Sequence, residues 1–310
     1  MNPIIDIGGD PVYDSHAHVF TNDEARYPMD TRNAREGEEN LRRRIAAEPV
    51  TAERLLRWWA ESGVTGGSAV QYNTIYKKDN RYLLDMSDTH PGRLPAVVML
   101  DAQDPETPTV LEGMVLRHDI VGLRLFGYPD ETGAYPWLDS EAALRTWQVA
   151  DRHGLTMVVM YAPGVAAPAP LCRIAGLARR FPRLRIALDH FGWPSGGDDR
   201  SQLGLVPALV AMREYRNVYY KLTTINFRMF DKAGVDHAAF VRRAVDIMGA
   251  DHVMWGSDVG NTLETYADMV AQAREAAALL NAKERRLFLH DTACGLFQRG
   301  AVPAGERAAS

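Results

Sequence analysis

Two stretches decide the fold: Tyr13-Asp14-Ser15-His16-Ala17-His18-Val19-Phe20 near the start of the chain, and Asp251-His252-Val253-Met254-Trp255-Gly256-Ser257-Asp258 near its end. On an extended strand, residues two apart face the same side, so His16 and His18 point to one place. The second stretch is another short apolar strand, and it closes on Asp258. If the first and last strands are neighbours in a closed barrel, the three side chains meet in one pocket. A His-x-His tripeptide alone is a weak signal, because short patterns recur by chance. The aspartate at the far end, and the rhythm between, give it weight.

That rhythm is strand and helix in alternation. Apolar, β-branched runs at 11–18, 67–72, 94–100, 121–126, 156–161, 185–189, 218–222 and 253–257 predict eight strands. Helical patterns fall between them at 51–61, 140–152, 170–181, 236–248 and 263–280, with Thr51, Ser140 and Asp236 as start signals. No linker or composition break divides the series. The expectation is an α/β fold: a single-domain (β/α)8 TIM barrel over 1–310. A charged insertion at 21–49, with Arg42-Arg43-Arg44, reads as a solvated helix face or as a lid over the end of the first strand. The tail at 300–310 reads as loose.

Composition narrows the function. The 310 residues are 46% apolar and 24% charged, with a formal net charge of -5. Nothing here recommends a nucleic acid or an acidic membrane as partner. The two cysteines, Cys172 and Cys294, cannot build a disulfide framework and suit a reducing compartment. No signal peptide or spanning segment is read, so the expected location is the cytoplasm. A homo-oligomer is compatible with all of this.

In such barrels the chemistry sits where the strands finish. Those ends carry His16 and His18, Gln71 and Asn73, Asp101, Arg124, Tyr161, His190, Lys221 and Asp258. Each has a dull explanation: Asp101 as a cap, Tyr161 as core, Lys221 as a solvated side chain. Eight strand ends that all carry a polar or ionisable residue are hard to attribute to surface chemistry. His90, His118, His153, His237, His252 and His290 fall in turns or at helix ends and read as structural or exposed. Neither a Gly-x-Ser-x-Gly elbow nor a phosphate-binding glycine fingerprint is present.

The runs Asp14-Ser15-His16-Ala17-His18, Asp189-His190-Phe191-Gly192 and Trp255-Gly256-Ser257-Asp258 resemble the amidohydrolase superfamily, in its amidohydrolase-related branch. Within it the pattern is similar to the group around 2-pyrone-4,6-dicarboxylate lactonase and the sugar-acid lactonases, from about residue 12 to 297. The resemblance implies that His16, His18 and His190 polarise a carbonyl and that Asp258 is the catalytic carboxylate. It implies that Arg124 and Tyr161 contact substrate, and that Lys221 and Arg228 lie in a region supplying basic residues. Gln71 and Asn73 join the substrate-binding set as strand-end residues.

The chain also departs from that pattern. Metal-dependent members take a histidine or a modified lysine from the middle strands, where this chain has Tyr161 and Arg124. The pyrone lactonase has arginine where Trp193 stands, and the Trp-Pro-His that often follows the aspartate is missing after Asp258. With Arg124 repelling a cation nearby, the expectation is a metal-free site with no cofactor. Zinc on His16, His18 and Asp258 is the alternative. The expected activity is hydrolysis of an acidic lactone, with Asp258 activating water, the histidines stabilising the oxyanion, and Arg124, Lys221 or Arg228 holding a substrate carboxylate. A metal-dependent decarboxylase or hydratase, and a non-catalytic ligand-binding barrel, are the alternatives.

Overall fold

A computed structural model describes residues 9–34, 36–162, 168–194 and 203–298. Eight strands form one parallel sheet in sequence order: β1 (Val12–Ala17), β2 (Val64–Val70), β3 (Ala96–Met99), β4 (Ile120–Gly127), β5 (Thr156–Tyr161), β6 (Arg185–Leu188), β7 (Val218–Thr223) and β8 (Val253–Gly256). Helices alternate with them on the outside, as a (β/α)8 barrel requires. Every predicted strand is present. The largest shift is in β2, which starts at Val64 and runs through Gly66-Gly67. These glycines permit a close approach. A Cβ on Gly67 would lie 2.6 Å from the Asp14 carbonyl oxygen.

The ring closes between β8 and β1 through one bridge and a few hydrogen bonds. The Asp258 N–H donates to the His16 carbonyl at 2.7 Å, Ala17 bridges Val259, and the Ser15 hydroxyl donates to the Trp255 carbonyl at 2.7 Å. Asp14 stitches the seam from below, accepting from the N–H of His16 and of Ser257 and from the Tyr266 hydroxyl. Gly256 lets the strands approach, since a Cβ there would sit 2.7 Å from His16 Cβ. First and last strands are therefore neighbours, which sets the site.

Helix starts follow the sequence signals. Thr51, Ser140 and Asp236 each accept a backbone N–H three residues on, capping the helices Ala52–Ser62, Glu141–Arg152 and His237–Met248. One predicted helix is shorter than expected: Thr265 caps it, and it runs Tyr266–Ala276. Outward strand residues such as Leu123, Val159, Leu188 and Trp255 bury against the helices. A second apolar cluster joins Val70, Val97, Val158, Ala187 and Met254 of the strands to Leu296 and Phe297 of the helix Thr292–Phe297.

The insertion is docked on the barrel. Its helix, Glu38–Ala47, fully buries Leu41 and Ile45, and Asp30 N–H donates to the Ile75 carbonyl at 2.8 Å. Arg42 and Arg43 pair with Glu24 and Glu39 at the surface, as a solvated face would. Arg44 pairs with Glu36 and also reaches the Gly260 carbonyl at 2.9 Å, in the loop that follows β8. The tail at 300–310 lies outside the described residues. Among the described residues, no helix is long and apolar enough to cross a membrane.

Candidate active site

His16, His18 and Asp258 come together at the end of β1 and β8, all three fully buried. Three ligand atoms, one from each, lie within 4.8 Å of one another. The two imidazoles meet edge to face, with centroids 4.9 Å apart, and His18 Nε2 is 3.2 Å from Asp258 Oδ1. Asp258 holds a positive φ of 55°, a conformation a side-chain-bearing residue rarely adopts outside functional turns. His190, from the turn after β6, adds its ring 5.6 Å from that of His16.

Hydrogen-bond partners decide which way each imidazole faces. His18 Nδ1 is 2.8 Å from the Val70 carbonyl, which can only accept, so Nδ1 carries a proton. His16 Nδ1 is 3.2 Å from the Asp189 carboxylate, which assigns its proton in the same way. Burial pushes the His16 pKa down to about 3 against the pull of Asp189, so the ring is neutral and its Nε2 is a lone pair. Asn261 Nδ2 donates to Asp258 Oδ1 at 2.7 Å and lies 3.3 Å from His18 Nε2. His16 Nε2 and Asp258 Oδ2 are left buried with no partner. Burial would raise the Asp258 pKa; the surrounding imidazoles of His18, His190 and His16 outweigh it and hold the carboxyl below its ordinary range. The pocket is an acceptor cluster that calls for O–H donors or a cation.

Under it lies a charged hub that the sequence reading left out. Asp189, fully buried at the end of β6, meets His16 Nδ1, Arg124 Nε at 2.8 Å and Lys221 Nζ at 3.5 Å. Burial would raise the Asp189 pKa, but these neighbours hold it well below the carboxylate range. Burial in turn pulls the Lys221 pKa down to about 8. Asp189 stood in a quoted motif but was read as part of a strand, and no sequence signal marks which strand-end carboxylate receives the cations. Its presence weakens one of the two reasons for expecting a metal-free site, the charge of Arg124; the missing middle-strand histidine stands. Arg124 is compensated by a carboxylate, so it does not face a bound cation as a bare charge.

The remaining predicted residues are distributed unevenly. Lys221, whose dull explanation was a solvated side chain, is fully buried over the Phe297 ring at 4.6 Å. Tyr161 is buried and donates to the Gly192 carbonyl, holding the His190 turn. Gln71 donates to the carbonyls of Lys77 and Asp79, and Asn73 begins the short helix Asn73–Tyr76. Arg228 lies 3.5 Å from Glu264 and is about two-fifths exposed, at 41%. Asp101 pairs with Lys78 at the surface, away from the pocket. The other six histidines each lie against a carboxylate outside the site, consistent with structural roles. Tyr72, which the sequence did not single out, stacks on His18 with centroids 4.5 Å apart.

This arrangement has relatives. The profile of the family described as amidohydrolase matches residues 13–299, a span that takes in His16, His18, Asp189, His190 and Asp258. The chain belongs to the amidohydrolase family. An L-fucono-1,5-lactonase of Burkholderia ambifaria is 27% identical over 217 residues, 68% of this chain and 69% of the relative. Among solved structures, a putative 2-pyrone-4,6-dicarboxylic acid hydrolase of Pseudomonas putida is 24% identical with a TM-score of 0.68, covering 93% of this chain and 98% of its own. An amidohydrolase of Burkholderia multivorans, solved with bound zinc, is 20% identical with a TM-score of 0.69, covering 92% and 98%. At these identities the two structures establish the shared fold. Family membership and the lactonase relative support the reading of this chain as an amidohydrolase-family enzyme.

The donor set fits a divalent cation. His16 Nε2 and Asp258 Oδ2 are orphaned, His18 Nε2 is adjacent, and both rings are braced through Nδ1 by an outer acceptor, as metal-binding histidines usually are. Zinc added to the purified amidohydrolase is expected to raise its melting midpoint, by about 2.7 kcal/mol of added stability at a hundredfold excess over Kd. His18→Gln should abolish the shift. A midpoint indifferent to zinc in the parent protein would refute the fit.

Proposed function

We propose that this amidohydrolase opens a small cyclic ester. The observation that carries the reading is the partnerless Asp258 Oδ2, buried beside the bare His16 Nε2. A water between these atoms has acceptors for its protons and none for its lone pairs, which orients its oxygen outward as a nucleophile. Asp258 takes one proton as the water oxygen bonds to the lactone carbonyl carbon. The ring C–O bond then breaks, and Asp258 returns that proton to the leaving oxygen, giving a hydroxy acid. The N–H of His16 is committed to Asp189 and that of His18 to the Val70 carbonyl, so neither ring donates directly to the lactone carbonyl. A divalent ion held by His16, His18 and Asp258 would supply Lewis-acid polarisation when bound.

The expectation that Arg124 grips a substrate carboxylate is revised. Its Nε is committed to Asp189, and Lys221 faces the same carboxylate from within the barrel. Arg228 already has Glu264. Arg124→Met should therefore reduce kcat/KM by similar factors on acidic and neutral lactones. A loss confined to acidic substrates would restore the original assignment.

The function itself is tested by a lactone panel read by acid release, run beside aromatic acids read by CO2 release. Lactone opening that disappears in Asp258→Asn is the expected result. Decarboxylation without lactone opening would favour the lyase alternative, and no turnover of either class would favour a ligand-binding barrel.

A further inference from the structure

His190 begins a turn in which His190, Phe191, Gly192 and Trp193 all have positive φ, at 51°, 55°, 63° and 57°. Three of the four carry side chains, and each costs about 1–2 kcal/mol in this left-handed region. Such strain persists only where the surroundings over-determine it, and it collects at functional sites. Tyr161 holds one end of the turn through the Gly192 carbonyl. The other end is held by a single buried amide.

That amide is Asn226, in the first turn of the helix Thr224–Ala233. Its Nδ2 donates to the His190 carbonyl at 2.8 Å, and its Oδ1 accepts from the Thr223 N–H at 3.0 Å. Backbone groups of opposite kind at its two ends leave the amide one orientation. The Thr223 hydroxyl, 3.2 Å from that same Oδ1, gives its only hydrogen to it. The hydroxyl therefore turns a lone pair to His190 Nδ1, 2.8 Å away, and Nδ1 carries the imidazole proton. With the proton on Nδ1, Nε2 is the bare nitrogen of the neutral ring.

We propose that Asn226 and Thr223 are positioning residues that lock His190 in its Nδ1–H tautomer, so that His190 meets the bound molecule as a hydrogen-bond acceptor and not as a carbonyl-polarising donor. One side chain thereby fixes both the strained backbone of His190 and the face its ring presents. The inference concerns the same pocket as the lactonase reading, but only its activity arm rests on that reading.

The test is 15N NMR of histidine-labelled protein, with His190 assigned by the signal lost in His190→Gln. The expected wild-type spectrum has a protonated, pyrrole-type Nδ1 and a pyridine-type Nε2. Thr223→Val keeps the shape and removes the hydroxyl. It should mix or invert the tautomer and lower lactone kcat by about tenfold or more, the scale of lost outer hydrogen bonds to site histidines. Thr223→Ser should restore both readouts. A pyridine-type Nδ1 in the wild type overturns the proposal, and that spectrum decides even if Thr223→Val fails to fold. So does Thr223→Val with spectrum and kcat unchanged. The expected spectra with no lactone turned over would leave this inference standing and remove the lactonase reading alone.

Discussion

Asp258→Asn is expected to lower kcat by about two orders of magnitude or more, the scale of losing a general base. The substitution keeps the shape, and its retained oxygen can still accept from Asn261. What it removes is the buried Oδ2 that no protein group satisfies. The fold holds this carboxyl below its ordinary range, so its charge adds stability at neutral pH and the variant should melt somewhat lower than the parent. Loss of activity out of proportion to that modest loss of stability marks a residue kept for chemistry. Near-normal turnover would sink the mechanism, and a large drop in melting temperature would recast Asp258 as structural.

Asp189→Asn should act chiefly on stability. Asp189 is the counter-charge for Arg124 and Lys221, which are 4% and 0% exposed. Removing one partner of a buried ionic cluster leaves uncompensated charge, at a cost of about 3–5 kcal/mol in denaturant unfolding. Adding Arg124→Met should recover part of that loss, because it removes one of the stranded cations. The linkage has a defined sign. The folded pKa of Asp189 lies below its unfolded value, so its contribution is complete above about pH 4 and declines as the pH falls through the folded value. A loss below about 1 kcal/mol in the single variant would mean that the cations find other partners.

The two aspartates show why the site was only partly legible. Asp258 could be recognised because it ends an apolar strand and pairs with a His-x-His at the other end of the chain. Asp189 ends an apolar strand too, and nothing in its neighbours distinguishes a carboxylate that does chemistry from one that neutralises a buried Arg–Lys pair. The same holds for the cations. Arg124 and Lys221 stand at strand ends, but the carboxylate they share was not in view. Asn261, Thr223 and Asn226 carry no signal at all, since an amide or hydroxyl in a loop is ordinary composition.

The sequence by itself determined the barrel, the order of its strands and the meeting of His16, His18 and Asp258. Alternating apolar runs and helix caps are local patterns, and a closed parallel sheet must bring its first and last strands together. The charge balance of the pocket and the direction each imidazole faces were decided only by the tertiary structure. Both depend on which acceptor lies about 3 Å from a given nitrogen. That acceptor comes from another strand: Val70 for His18, Asp189 for His16 and Thr223 for His190. Partners from 33 to 173 residues away in the chain leave no local pattern by which to find them.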